Sequence, residues 1–209
     1  MPVQCPLCLE SKTKVRTDNS AFIDCAACNS VFRHPKFHLS LEDEKQRYLK
    51  HDNNINDIGY QDFVTPLLTA VLDRCKANDI GLDYGAGTGP VLAKLLNQKH
   101  YKVYLWDPFF HPDDSVLEAS YDYIICCEVI EHFRDPREEF QKLKRLLKPG
   151  GLLLCMTHLL TKEIDFANWY YQRDPTHVFL YTKSSISWIK RNFEFSSLSI
   201  NGRVIVLRH

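Results

Sequence analysis

The sequence lacks any excess of charge, since its 209 residues carry 26 basic and 26 acidic side chains. Nucleic-acid and anionic-membrane binding usually depend on a surplus of lysine and arginine, so we expect no general affinity for either. The chain also lacks an apolar run of the roughly 18 residues that a membrane span needs. Its first residues, MPVQCPLCLE, have neither the basic start nor the apolar middle of a secretory signal. These absences predict a cytoplasmic globular protein.

Disulfide bonds are not expected in that compartment, so the eight cysteines are predicted to be metal ligands or buried thiols. Two C-x2-C pairs stand sixteen residues apart and consist of Cys5, Cys8, Cys25 and Cys28. This spacing is typical of a closed four-sulfur zinc site. We predict a structural zinc ion there, with the segment KTKVRTDNSAFIDC forming a hairpin between the pairs.

The other four cysteines are Cys75, Cys126, Cys127 and Cys155, and their apolar surroundings predict buried thiols. Residues 1–38, the predicted zinc ribbon, hold five basic and three acidic side chains. Four thiolates around one zinc ion carry a net charge that cancels this surplus. The electrostatic argument for nucleic acid is therefore weak in the ribbon as well.

Residues 39–65 are predicted to form a helical connector. SLEDEKQRYLKH begins with Ser40, a typical helix cap, and the residues that follow it are polar and rich in turn formers. A solvated linker is the simple interpretation. Because the connector also carries His51, Asn53, Tyr60 and Phe63, the alternative is a lid in which residues 48–63 and the segment around His177 close over a binding site.

Strand-like and helix-like segments alternate from residue 66 to residue 209, which predicts an α/β fold with a doubly wound, Rossmann-like parallel sheet. Pro66 is predicted to begin the first helix, and Pro149-Gly150-Gly151 to end a later one. Asn201-Gly202, between two apolar runs, predicts an antiparallel hairpin at the end. Only thirteen residues separate Asp107 from Tyr121, so we expect the third strand to be missing or vestigial.

The segment LDYGAGTGP, residues 82–90, places Gly85, Gly87 and Gly89 between a strand and a helix. Ligands of such sheets bind at the carboxyl ends of the strands. The dinucleotide pattern G-x-G-x-x-G requires a glycine at position 90, where this chain has Pro90. This departure counts against a dinucleotide.

Two acids bear on the same choice of ligand. Asp83 favours a cation, and S-adenosylmethionine (SAM) carries an ammonium and a sulfonium, whereas a pyrophosphate would be repelled. Asp107 closes the second strand, 22 residues after Gly85, where an acid can accept both ribose hydroxyls of either ligand. Together with the missing third glycine, Asp83 favours SAM.

The segments LDYGAGTGP, WDP, YDYIICCEVIEHF and LLKPGG resemble the motifs of class I SAM-dependent methyltransferases of the small type 11/12/23 kind, over residues 80 to about 160. With the N-terminal ribbon, the chain resembles a bacterial subgroup of zinc-ribbon methyltransferases. The resemblance implies a set of cofactor-binding residues, namely Asp83, Gly85, Ala86, Gly87, Gly89, Asp107, Cys127 and Glu128. The short third-strand region departs from the family and leaves the adenine-contacting acid unassigned, with Asp113 and Asp114 as poor candidates.

Within this resemblance, Asp83 would face the amino-acid end of SAM and Asp107 its ribose, while Cys127 and Glu128 would lie near the methionine part. The candidate general bases are His177, after the fifth strand, and His132, after the fourth. We prefer His177, because His132 is equally well explained as a residue that fixes its loop. The aromatic residues Trp169, Tyr170 and Tyr171 are predicted to line a pocket or to belong to the core.

Methyltransferases that act on amide or amine nitrogens carry an Asn- or Asp-Pro-Pro-Tyr stretch after the fourth strand, where this chain reads CCEV. The Pro-Cys nucleophile of cytosine-C5 methyltransferases is absent from the same place. We therefore expect O- or C-methylation of a small molecule. One alternative is an RNA or protein methyltransferase that presents its substrate on the ribbon, and another is a catalytically silent protein that binds SAM or a partner. The substrate and the oligomeric state do not follow from the sequence.

Overall fold

The computed structural model describes residues 3–50 and 54–209, so His51 and Asn53 of the expected lid lie outside the described residues. The strands are β1 (Thr13–Val15), β2 (Phe22–Cys25), β3 (Val31–Arg33), β4 (Ile80–Tyr84), β5 (Lys102–Trp106), β6 (Tyr121–Cys127), β7 (Leu147–Met156), β8 (Phe179–Leu180), β9 (Ser197–Asn201) and β10 (Val204–Arg208). The helices are α1 (Leu41–Tyr48), α2 (Ile58–Leu72), α3 (Val91–Gln98), α4 (Pro136–Leu146) and α5 (Lys183–Asn192). None of these helices combines the length and apolarity needed to cross a bilayer.

A six-stranded mixed sheet organises the chain, in the order β5-β4-β6-β7-β10-β9. The strands β5, β4, β6 and β7 are parallel, and β10 is antiparallel to both β7 and β9. The predicted α/β fold and its terminal hairpin are confirmed. Between β5 and β6 the described chain has only a short 3₁₀ turn, Asp114–Glu118, so the third strand is missing as expected. Because β4 has β5 on one side and β6 on the other, the strand order reverses at β4, where ligands bind in this class of sheet.

The helices cover both faces of this sheet. On one face, α2 and α3 bury Leu67, Val71 and Leu96 against the strands. On the other face, α4 and α5 bury Phe140 and Ile189. Burial on both faces explains why β6 reads as a nearly continuous apolar run.

Two helix boundaries differ from the predictions. Helix α2 begins at Ile58, not at Pro66, because the Asp57 carboxylate caps it and accepts a hydrogen bond from the Gly59 amide (2.8 Å). Pro66 lies inside the helix, which crosses the expected limit between residues 65 and 66. Helix α4 ends at Leu146, and residues 149–151 fall within β7, where Gly150 adopts a φ of 80°.

The N-terminal ribbon, residues 3–38, contributes a second, four-stranded sheet in the order β1-β2-β3-β8. The expected hairpin joins β1 to β2, with the Phe22 amide donating to the Asn19 carbonyl (3.0 Å). The fourth strand, β8, comes from the chain after β7, and Phe32 of β3 stands opposite Phe179 of β8. Both rings belong to the same buried cluster as α4 and α5, so the ribbon and the larger sheet share one core.

Replacing Phe179 by alanine should destabilise the protein by about 3–5 kcal/mol, because the ring is fully buried where the ribbon meets the larger sheet. Urea unfolding of the full chain measures this loss. Phe37→Ala is the matched control, since Phe37 is 41% exposed and its loss should cost less than about 1 kcal/mol. Equal effects of the two substitutions would contradict a shared core.

Candidate active site

A cavity of about 1010 Å³ lies beyond the carboxyl ends of β4, β5 and β6. The structure brings all of the predicted cofactor and base residues to its wall, namely Asp83, Gly85, Ala86, Gly87, Gly89, Asp107, Cys127, Glu128, His132 and His177. Tyr60 and Phe63 of the expected lid line it too. Neither Asp113 nor Asp114 is among the lining residues, and Asp114 instead accepts a hydrogen bond from the Trp106 indole (3.0 Å).

The glycine loop after β4 exposes backbone to this cavity. Gly85 has a φ of 81°, and a Cβ atom there would stand 2.6 Å from a methyl carbon of Val129, so only glycine fits. Gly87 has a φ of 63°, and no atom lies within 4 Å of the position that its Cβ would take. The loop therefore leaves room for a ligand to approach the main chain closely.

Asp107 ties this loop to the chain that follows β5. One carboxylate oxygen accepts a hydrogen bond from the Gly87 amide (3.0 Å), and the other accepts from the amides of Phe109 (2.8 Å) and Phe110 (3.0 Å). A carboxylate offers about four acceptor sites, so about one remains for a ligand. Asp107 thus organises two walls of the cavity even before a ligand binds.

Asp83 is a buried acid to which no described residue donates a hydrogen bond, and 4% of it is exposed. Burial, and then the neighbouring charge of Asp107, raises its pKa to about 7. An acid in this state favours a cationic ligand, whose charge would restore the ionised form.

Two glutamates follow β6: Glu128 lines the cavity, and Glu131 lies fully buried beside it. Glu128 adopts a φ of 52°, a strained backbone for this residue, and one of its oxygens accepts from Arg203 (2.6 Å). Glu131 is fully buried and accepts a hydrogen bond from the Tyr171 hydroxyl. Each glutamate keeps one buried oxygen without a partner in the described chain. Burial raises the pKa of Glu128 to about 8 and that of Glu131 to about 7.

His132 and His177 lie next to these acids, with ring centroids 4.9 Å apart. Nδ1 of His132 is 2.9 Å from the Thr176 carbonyl, and Nδ1 of His177 is 2.7 Å from the Tyr171 carbonyl. Because a carbonyl only accepts, Nδ1 carries the proton in both rings and Nε2 is the basic nitrogen. Burial lowers the pKa of both rings, that of His177 to about 3, so both are neutral.

This cluster also has the chemistry to hold a cation. Glu131, His132 and His177 each offer a ligand atom, and these atoms lie within 4.8 Å of one another. Metal-binding histidines are commonly oriented by a carbonyl on the other ring nitrogen, as both rings are here. The cluster therefore suits either a divalent cation or the hydroxyl group of a substrate.

The four cysteines of the ribbon form a separate cluster, with sulfur atoms within 4.8 Å of one another. The Cys5–Cys28 and Cys8–Cys25 sulfur distances are 3.8 and 3.4 Å. Tetrahedral zinc with bonds of about 2.3 Å separates its sulfurs by about 3.8 Å, so this set fits the ion. Two similar turns present the sulfurs, since the amides of Leu9 and Asn29 donate to the carbonyls of Cys5 and Cys25 (both 2.9 Å).

Sequence reasoning missed two residues that contact the wall of the cavity, Glu131 through Tyr171 and Arg203 through Glu128. Glu131 had a signal, because it follows Glu128 by three positions in the otherwise apolar run IICCEVIEHF. Arg203, from the turn between β9 and β10, had none. Of the three aromatic residues, Tyr170 and Tyr171 line the cavity, whereas Trp169 is buried in a cluster with Phe22 and belongs to the core.

A family model described as "Methyltransferase domain" (Methyltransf_23) matches residues 57–200. The chain belongs to this methyltransferase family. The match contains the glycine loop, Asp83 within β4, Asp107 after β5, and the Glu–His cluster. The family resemblance drawn from the sequence motifs is therefore confirmed, while the zinc ion is suggested by the cysteine cluster alone.

Curated relatives of the chain include two ubiquinone biosynthesis O-methyltransferases. The protein from Dinoroseobacter shibae is 35% identical over 94 residues, which are 44% of this chain and 36% of that protein. The protein from Colwellia psychrerythraea is 29% identical over 133 residues, which are 61% of this chain and 50% of that protein. The chain thus spans half or less of the length of these relatives.

Solved structures of methyltransferases share the fold. A SAM-dependent methyltransferase from Archaeoglobus fulgidus has a TM-score of 0.56 at 14% identity, over 71% of this chain and 94% of that one. Magnesium protoporphyrin IX methyltransferase from Synechocystis PCC 6803, solved with bound SAH, has a TM-score of 0.53 at 16% identity, over 81% of this chain and 95% of that one. At these identities the likeness concerns the fold alone.

The environment of Asp83 generates a prediction about SAM. Because the carboxyl group has a pKa of about 7 in the empty site, SAM affinity should rise between about pH 5.5 and about pH 7.5 as Asp83 ionises. Asp83→Asn should weaken binding by roughly tenfold to a hundredfold and remove this dependence. Calorimetry measures the SAM affinity and its pH dependence. Asp62→Asn is the control, because Asp62 is an exposed acid of α2. An unchanged pH dependence in Asp83→Asn would contradict the role given to this acid.

Proposed function

We propose that this protein transfers a methyl group from SAM to a hydroxyl oxygen of a small molecule. One observation carries the proposal. A single cavity joins the glycine loop and Asp83, which suit a cationic nucleoside, to Glu128 and the neutral His132 and His177, which suit a hydroxyl group. The family membership and the O-methyltransferase relatives support the same activity.

In this proposal the cofactor lies along the glycine loop. The backbone of residues 85–89 contacts it closely, and Asp83 faces its ammonium group. Asp107 receives a ribose hydroxyl with its remaining acceptor site, while Cys127 and Glu128 lie near the methionine part. When bound, SAM supplies an electrophilic methyl group whose bond to sulfur breaks as the bond to the acceptor oxygen forms.

The acceptor is placed at the other end of the cavity. His177 receives the hydroxyl proton at Nε2, because its Nδ1 is already protonated and bonded to the Tyr171 carbonyl (2.7 Å). Glu131, which accepts from Tyr171, offsets the charge that the ring then gains. His132 is the second candidate for this role. The aromatic residues that line the cavity, including Tyr48, Tyr170 and Phe133, favour a flat or apolar acceptor.

We further propose that Cys5, Cys8, Cys25 and Cys28 hold one structural zinc ion, which contributes folding energy to a ribbon too small to have a core of its own. The ribbon packs into the core of the larger sheet, which does not favour the alternative of a free arm for RNA or protein. The domain limits 1–38, 39–65 and 66–209, the lid formed by residues 48–63 and the cytoplasmic location stay predictions.

His177→Asn should lower the rate of methyl transfer by roughly 10²–10⁴, the usual contribution of a general base. SAM affinity should stay within about twofold, because His177 contacts the acceptor and not the cofactor. The assay follows SAH release with a panel of hydroxylated aromatic compounds. His100→Asn, an exposed histidine, is the matched control. Turnover of thiols or carbon acids alone, or full activity in His177→Asn, would contradict the proposal.

The zinc proposal predicts one zinc ion per chain after purification without added metal. The double variant Cys5→Ser/Cys25→Ser should lose the ion, because two of four ligands are gone. Cys75→Ser should retain it, since Cys75 is buried beside α2 and is not part of the cysteine cluster. Elemental analysis measures the zinc content of each variant. Zinc retained by the double variant would show that these cysteines do not bind it.

A further inference from the structure

The wall of the cavity that carries His177 has little regular structure of its own. We name residues 171–178 the histidine segment. Tyr171, Asp174 and His177 of this segment line the cavity, yet its regular structure is limited to the end of a short 3₁₀ turn, Tyr170–Arg173. The position of the segment therefore depends on groups from elsewhere in the chain.

Arg47 pairs with the Asp174 carboxylate (2.7 Å), and the Val178 amide donates to the Glu131 carbonyl (2.9 Å). Arg33, the last residue of β3 in the ribbon, is the residue that holds several main-chain carbonyls of the segment at once. Its Nη2 atom donates to the carbonyls of Gln172 and Asp174 (both 3.0 Å), and its Nε atom donates to the carbonyl of His177 (3.3 Å). Its backbone amide donates to the Val178 carbonyl (2.8 Å). The planar fork of one guanidinium thus spans the histidine segment, which a lysine ammonium cannot do.

The guanidinium of Arg33 is half-buried and forms hydrogen bonds to carbonyls in place of an ion pair within the described chain. No carboxylate in residues 3–50 or 54–209 lies within ion-pair distance of it, and the guanidinium stacks on the ring of Phe22, 4.5 Å from the centroid. Burial lowers its pKa, which shows that its environment opposes the charge. Placing a cation there without an ion pair is costly, and the bonds to the three carbonyls offset that cost.

The position of Arg33 is in turn linked to the cysteine cluster. The Cys25 amide donates to the Ser30 carbonyl (2.9 Å), and the Ser30 hydroxyl lies 3.0 Å from the sulfur of Cys28. Strand β3 begins directly after Ser30, at Val31. A continuous path of short contacts therefore leads from the cysteines through β3 to the histidine segment.

We propose that Arg33 is a positioning residue for His177, and that the ribbon forms the outer support of the active-site wall. Arg33 contacts neither the glycine loop nor Asp83 and Asp107. Its loss should therefore disturb the acceptor end of the cavity and spare the cofactor end. The catalytic part of this inference rests on the proposed function, whereas the structural part does not.

The test compares Arg33→Lys and Arg33→Met with the unmodified full chain, purified with its metal. Hydrogen exchange of the amides of the histidine segment should become roughly tenfold faster in both variants, because charge-assisted bonds to its carbonyls are lost. The SAM dissociation constant should stay within about twofold, and the zinc content should be unchanged. In the methyl-transfer assay, kcat should fall more than KM rises.

Arg16→Lys is the matched control, because Arg16 is a ribbon arginine that pairs with Asp18 (2.7 Å) and Asp24 (2.6 Å) and does not contact the histidine segment. It should leave exchange in residues 171–178 unchanged. Unaltered exchange there in both Arg33 variants would overturn the proposal. Faster exchange throughout β4–β7 as well would also overturn it, since Arg33 would then be a general stability residue.

A further experiment, in which a chelator removes the metal, tests whether the cysteine cluster supports the histidine segment. Removing the metal from the full chain should accelerate exchange in the histidine segment while residues 80–89 stay protected, and full protection of the segment would overturn the link. If no hydroxylated compound is methylated by the unmodified protein but exchange responds as expected, the proposed function fails and the positioning role of Arg33 stands.

Discussion

The pairing of β3 with β8 is the contact on which the ribbon, the core and the cavity wall all depend. Only two residue pairs form it, Val31 with Leu180 and Phe32 with Phe179, and they join parts of the chain almost 150 positions apart. All four side chains are buried. The chain immediately before β8 carries His177, so the pairing that closes the core also fixes the position at which the histidine segment ends.

Electrostatics impose a second constraint, because Asp83 and Glu128 of the cavity wall and the adjacent, buried Glu131 lie in surroundings that disfavour negative charge. Burial raises the pKa of each of them, to about 7 or 8, from values near 4 in an unfolded chain. The folded state therefore binds protons more tightly than the unfolded state, and this contribution to stability is lost as the pH rises towards 7 or 8. A cationic ligand beside Asp83 opposes that loss, so ligand binding and folding are coupled through the same acids.

Sequence reasoning reached the features that local chemistry specifies. The cysteine spacing, the glycine loop, the Asn201-Gly202 hairpin and the missing third strand each depend on a few adjacent residues, and the structure shows the four cysteines together, the bare loop and the hairpin. It misplaced the start of α2, because the cap at Asp57 outweighed the preference of Pro66 for a first turn. Arg33 and Arg203 could not be found in this way, since their partners come from distant segments and leave no local pattern.

Segments that are far apart in the sequence share structural elements in this fold. Helix α2 runs through the expected boundary, and β8 leaves the larger sheet to complete the smaller one. Without β8, strand β3 would present an unpaired edge, which proteins usually cover or disrupt. Without β3, the two residues of β8 would be too short to hold a strand conformation, and the carbonyls of Gln172, Asp174 and His177 would lose the donors that Arg33 provides. Each part supplies what the other lacks, so the two sheets form a single structural unit around the cavity.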